Sequence, residues 1–375
     1  MAERVLVAPD KFKGSLPAAE VAARLAAGLS RAGVGADVVS LPVADGGDGT
    51  VDAAVSAGYR RVQMGVRGPV GRPVTAAFAL LDGTAVIEAA QACGLSLLAP
   101  DSLAPLTATS KGVGELILAA TRMGAKQVML GLGGVATTDG GAGLVQALGA
   151  RFTDDSGLEL PPGGAALARL ATLHLDRLRD LSGIEFLVAS DVDNPLLGAS
   201  GAAHVYAPQK GASPEDVKLL EAGLERWADI AEAARGRTAR DAPGAGAAGG
   251  LGFAALLFLG ARMRPGIELL LEMLSFGQRL DGARLVITGE GSLDAQSLHG
   301  KAPVGVARAA AGHDPAVPVV AVAGVCTLSA AQLREAGIAA AYALTDIEPD
   351  VNRCIANAGP LVERLAERIA DDWLR

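Results

Sequence analysis

The chain has 375 residues, half of them apolar, with 33 Lys and Arg against 41 Asp and Glu, a formal net charge of -8. That length supports a sizeable core and favours two domains over one, while the acidic balance excludes the basic field that nucleic acid or an anionic membrane surface requires. Cys93, Cys326 and Cys354 form no CxxC or His-paired ligand pattern and read as reduced thiols.

In chain order, MAERVLVAPDKF lacks the build of a secretory leader, and no window reaches the roughly 18 to 20 apolar residues of a membrane helix. A cytoplasmic chain is the expectation. Val5 to Ala8 reads as a strand, Pro9 to Ser15 as a turn, Pro17 to Leu29 as an amphipathic helix and Val38 to Leu41 as a second strand. DGGDGT then leads into a helix from Thr50 to Ala57. Between Arg61 and Ala89 the short alternating runs RVQMGV, PVTAAFAL and TAVIEA predict a small β-meander. Helix–strand rhythm returns at Lys111 to Met123 and Lys126 to Leu130, and EFLVAS before Asp191 reads as an apolar strand. The last third predicts strands at Leu285 to Thr288 and Val319 to Val322, with helices at Pro303 to Ala310, Ala330 to Ala336 and Pro360 to Leu374. The pattern predicts an α/β fold of two domains. One is a Rossmann-like parallel-sheet domain built from both chain ends (1–60 and 281–375), the other an inserted mixed α/β domain (61–280).

Four loops place a carboxylate beside turn-forming backbone: DGGDGT from Asp45, TDGGAG from Thr138, SDVDNP from Ser190 and GEGSLD from Gly289. Glycine lets backbone N–H groups approach an oxyanion, and Asp or Glu can hold Mg²⁺ or accept a proton, so the recurrence points to phosphoryl transfer or metal-dependent chemistry. Each loop taken alone is more often a plain turn or cap. Cations for such chemistry are Lys11, Lys13, Lys111, Lys210 and Lys301, with Lys13 and Lys301 favoured by glycine-bearing loops that precede helices. There is no GxxxxGK[ST] and no HRD or DFG set. GLGGVA at Gly131 to Ala136, with Asp154 about 20 residues on, partly fits a dinucleotide fingerprint, which keeps an NAD(P)-dependent dehydrogenase of a small hydroxy acid as an alternative. GAGAAGG at Gly244 to Gly250 either cradles a phosphate or lets a helix pack closely. His174, His204 and His313 read as structural or surface residues, Trp227 and Trp373 as packing residues.

The blocks APDKFKGSL, PVADGGDGTVDA, TSKGVGELI, GLGGVATTDGGAG, SDVDNPLLG, APQKGA, PGAGAAGGLG and VITGEGSLDAQSLHGKAPVGVA resemble the glycerate kinase type-1 family from Val5 to about Gly324. The resemblance implies phosphorylation of D-glycerate by ATP to 2-phosphoglycerate, on two α/β domains whose cleft holds the active site. Mild departures are DKFKGS for the more usual DSFKGS and ATTDGG for ATNDGG. Asp10, Lys13, Ser15, Asp45, Gly46, Gly47, Asp48, Asp139, Asp191, Asn194, Glu290, Asp294, His299 and Lys301 fall in the motif blocks. On chemistry, Asp191 is the expected base, Lys13 and Lys301 the phosphate cations, and Glu290 and Asp294 the Mg²⁺ ligands. Asp10, Ser15, the loop from Asp45 to Asp48, Asp139, Asn194 and His299 are expected to bind substrate or nucleotide. D-glycerate and ATP are then the partners, with no nucleic acid and no membrane, and homo-oligomerisation is left open. A non-catalytic glycerate or nucleotide sensor is the remaining alternative; it would be expected to have lost some of these carboxylates.

Overall fold

A computed structural model describes residues 4–375. The strands in chain order are β1 (Arg4–Pro9), β2 (Asp37–Ser40), β3 (Arg60–Arg67), β4 (Pro73–Leu81), β5 (Thr84–Glu88), β6 (Gln127–Gly131) and β7 (Arg151–Thr153). They continue with β8 (Thr172–His174), β9 (Glu185–Ala189), β10 (Arg262–Arg264), β11 (Ala283–Leu293), β12 (Val319–Cys326) and β13 (Ala340–Ala343). Among the described residues no helix is long and apolar enough to cross a membrane.

Unit 1 comprises the chain up to Asp45, Asp52–Gly58 and Ile267–Arg375. Its five strands are all parallel in the order β13-β12-β11-β1-β2. Val5 to Ala8, Leu285 to Ile287 and Val319 to Ala323 are buried without polar alternation, as strands covered on both faces must be. The helices Ala18–Arg31 and Ala358–Trp373 pack together through Leu25, Leu29, Leu365 and Ile369, and Arg24 and Arg31 both reach Glu363, at 2.8 and 2.7 Å. Residues 267–280 belong to this unit, where Ile267 packs directly on Gly305 of the helix Ala302–Ala311. Parallel pairing of Pro9 with Gly289 brings Asp10 and Glu290 to the same carboxyl edge of the sheet, the edge where open α/β sheets bind ligands.

Unit 2 comprises Gly46–Val51 and Tyr59–Gly266. Its six-stranded sheet runs β10-β9-β6-β5-β4-β3. The expected meander is present: β3, β4 and β5 pair antiparallel, after which β5, β6, β9 and β10 pair in parallel. β7 and β8 form a separate two-stranded ribbon. The 22-residue helix Pro214–Arg235 starts from a Ser213–Asp216 capping box with Pro at the first turn, a strong N-terminal signal. It buries Leu220, Leu224 and Trp227; the Trp227 ring stacks on Phe258 at 5.6 Å, and its Nε1 donates to Gly140 O at 2.9 Å.

The GAGAAGG stretch resolves into packing. Ala248, Gly249 and Gly250 have left-handed backbone, and Gly140 N donates to Gly249 O at 2.9 Å. A Cβ on Gly249, at φ +66°, would fall on Thr137 O. Backbone meets backbone there, which only glycine allows.

Candidate functional site

In unit 1 the carboxyl ends of β1 and β11 carry a charged cluster. Asp10 follows β1, its N–H donating to Gly289 O at 2.8 Å, and its Oδ1 accepts the Lys11 N–H at 2.6 Å. It is 7% exposed. Burial chiefly, and then the nearby charges of Asp45 and Glu290, push its carboxyl up to about 7 against the opposing pull of Lys11. Glu290, also 7% exposed, is raised by burial and held by the Ser297 hydroxyl, which donates to its Oε1, while Lys301 Nζ stands 3.8 Å from Oε2. Asp294 sits in the turn after β11. Its oxygens accept the Gln296 N–H at 2.9 Å and the Ser292 hydroxyl at 3.2 Å, and the Gln296 N–H above all holds its carboxyl below the usual range.

Lys301 occupies the N-cap position of the helix Ala302–Ala311, and Lys13 is exposed in the turn that Phe12 and Leu16 close. Ser15 Oγ donates to Ile355 O at 3.2 Å, tying that turn to the helix Val351–Ala356. His299 ends a 3-10 turn, and its side chain lies outside the described residues. Unit 1 thus brings Asp10, Glu290, Asp294 and Lys301 together, with Asp45 within electrostatic reach of the first two. Ser297, fully buried, organises the group by serving both Glu290 and the Asp294 N–H. Nothing in the sequence distinguished it from other loop serines.

Unit 2 holds different arrangements. The chain enters it at Gly46, whose φ of +90° and whose distance to Ala189, where an added Cβ would lie 2.7 Å from the alanine Cβ, both demand glycine. Gly46 and Gly47 cross Gly131 and Gly133, and the exposed Asp48 lies over Gly134. Glu88, closing β5 and 3% exposed, accepts the N–H groups of Gly49 and Val51 at 3.2 and 3.3 Å and so fixes the loop. A carboxylate at a strand's carboxyl end was the signal that could have found it. This crossing also accounts for GLGGVA. No helix begins until Ala142, and Asp154 accepts the N–H groups of Ser156 and Leu158 within a turn, so neither part of the apparent dinucleotide fingerprint stands in its required context.

Asp139 is 1% exposed. Its oxygens accept from Ser110 N at 2.8 Å, Ser110 Oγ at 2.9 Å, Gly141 N at 3.1 Å and Gly143 N at 3.2 Å, so in this structure it binds its own chain. Burial raises its carboxyl, and these donors work against that rise. Lys210, weighed above as a phosphate cation, is 3% exposed, donates to Thr137 O at 2.6 Å and is lowered to about 8 by burial. It is an interior brace rather than a surface cation. Burial likewise pushes the Cys93 thiol up, away from any nucleophilic role. Asp191 is exposed at the end of β9, and its Oδ1 accepts Gly266 N at 2.9 Å. Asn194 spends its amide on the loop itself, donating to Ser200 O at 2.8 Å and accepting from Tyr206 OH at 2.6 Å. Among the described residues no three His, Cys, Asp or Glu side chains form a ready-made metal centre.

Comparison with known proteins places this architecture. The family model described as glycerate kinase family matches residues 5–374. A Bacillus subtilis glycerate kinase is 45% identical over 371 residues, covering 98% of this chain and 97% of that protein. An Escherichia coli glycerate 2-kinase is 42% identical, covering 91% and 90%. The crystal structure of a Salmonella typhimurium LT2 protein described as glycerate kinase 2 superposes with a TM-score of 0.86 at 40% identity, covering 99% of this chain and 98% of that one.

Proposed function

Because the chain belongs to the glycerate kinase family, we propose that it transfers the γ-phosphoryl group of ATP to the 2-hydroxyl of D-glycerate, giving 2-phosphoglycerate and ADP. The observation that carries the chemistry is the unit 1 cluster, in which Asp10 and Glu290 are buried beside like charge and Lys301 supplies one cation. Such a group is at rest only when a proton or a further cation neutralises it. Mg²⁺ fits the donor set: among the described residues the groups at hand are carboxylate and hydroxyl oxygens, which suits an ion that shares its sphere between one or two carboxylates, water and phosphate. Glu290 and Asp294 would hold it, and when bound it neutralises charge on the phosphate oxygens.

Lys301 and Lys13 steady the transferred phosphoryl group, and Asp191 accepts the hydroxyl proton. A loose transition state asks for position more than for strong basicity, and the Gly266 N–H orients the Asp191 carboxylate. Asp10, Ser15, the Asp45–Asp48 loop and His299 are assigned to substrate and nucleotide binding. The need for ATP and the three free cysteines support a cytoplasmic setting. Purified protein incubated with ATP, Mg²⁺ and D-glycerate and followed by phosphorus NMR tests the reaction. A 2-phosphoglycerate signal supports it, a 3-phosphoglycerate signal overturns the site of transfer, and folded protein giving neither product nor ADP overturns the activity. Loss of turnover in Asp191→Asn with folding intact is expected; near-normal turnover would remove Asp191 from the role of base.

A further inference from the structure

Unit 2 contains a cavity of ≈ 270 Å³ that the proposed reaction does not use. Arg67 at the end of β3, Lys111 at the start of the helix Lys111–Arg122 and Arg151 at the start of β7 line it, together with Thr109, Phe152 and Leu160. On a chain of net charge -8, three cationic side chains face one lining carboxylate, Glu159, which reverses the overall sign locally. Thr109 is 2% exposed and its hydroxyl accepts the Lys111 N–H at 3.3 Å, so a buried polar side chain and the first turn of a 12-residue helix both border the hollow. The helix dipole adds positive potential there. Glu115 takes up part of Arg67, accepting its backbone N–H at 2.7 Å and standing 3.9 Å from its Nε. Arg151 is exposed. Pro162, exposed, and Leu160, 7% exposed, supply an apolar wall that a bare inorganic ion has no use for.

We propose that this cavity binds a small phosphorylated organic acid, with its anionic groups on Arg151 and Lys111 and its carbon skeleton against Leu160 and Pro162. The volume suits that class: at about 30 Å³ per water it holds roughly nine waters, and it lies just below the roughly 300–1,000 Å³ of drug-sized sites.

Isothermal titration of the full chain with 3-phosphoglycerate, and separately with inorganic phosphate, tests the assignment in the wild type, Arg151→Ala and Arg151→Glu. The expected result is a 3-phosphoglycerate binding component that weakens at least tenfold in Arg151→Ala and disappears in Arg151→Glu. Inorganic phosphate should bind at least tenfold more weakly than 3-phosphoglycerate in the wild type. Both Arg151 variants should phosphorylate glycerate at the wild-type rate without added anion, which shows them folded. A 3-phosphoglycerate isotherm unchanged in both variants overturns the site, and equally tight binding of inorganic phosphate overturns the organic ligand class.

Discussion

Asp10 and Asp139 stand in sequence as similar acidic residues beside glycine-bearing loops, and the structure treats them in opposite ways. Asp139, in unit 2, is surrounded by donors from Ser110, Gly141 and Gly143, so its charge is answered from within the chain. Asp10, in unit 1, is also buried but is flanked by Asp45 and Glu290, whose charges add to its burial against the pull of Lys11, and its carboxyl rises to about 7. A buried carboxylate that its own backbone satisfies holds a loop, whereas one crowded by like charge is arranged to receive something positive.

The largest expected effect separates these two roles through activity. Glu290→Gln should lower kcat for glycerate phosphorylation by roughly 10³-fold, with Lys301→Ala similar, because the proposed reaction draws on both charges in its transition state. Their thermal midpoints should stay close to wild type. A Glu290→Gln enzyme with full activity would dissolve the contrast from the unit 1 side.

On the unit 2 side, Asp139→Ala should cost roughly 3–5 kcal/mol in urea unfolding, since it strands several buried donors at once. If that variant lost activity while keeping its stability, Asp139 would join the ligand-binding residues instead.

The third effect depends on pH. The Asp10 carboxyl titrates near 3.8 when free and near 7 in the fold, so folding favours its protonated form. The stability linked to it is complete below about pH 3.8 and is lost as pH rises through about 7. Asp10→Asn, which stays neutral, should therefore gain on the wild type between pH 5 and pH 8, by at most about 4 kcal/mol, in Mg²⁺-free denaturation. A gap independent of pH would show that Asp10 is not poised in this way.

The smallest effect belongs to the ion pairs between the two terminal helices of unit 1. Glu363→Gln should shift stability by less than about 1 kcal/mol, although Arg24 and Arg31 lie 2.8 and 2.7 Å from Glu363. Urea midpoints at low and high salt would reveal a larger contribution if the two arginines acted as a network.

Much of the fold was legible because its signals are local. Apolar runs such as Val5 to Ala8 and Leu285 to Ile287, set between helical periods, require a parallel sheet, and the alternating segments between Arg61 and Ala89 require antiparallel pairs. The motif blocks likewise carried the family, since their glycines and carboxylates are tied to fixed local turns. The partners of each charged residue were not legible. Asp139 draws on Ser110, 29 positions away, and Lys210 on Thr137, 73 positions away. Glu88 reaches a loop 39 positions back. The sequence by itself therefore determined the alternation of strands and helices and the chemistry available at the loops, because period and turn preference act over a few residues. Only the tertiary structure decided which carboxylates are spent on the fold and which remain crowded and poised, because burial and the charges that set a carboxylate's ionisation come from segments distant in the chain.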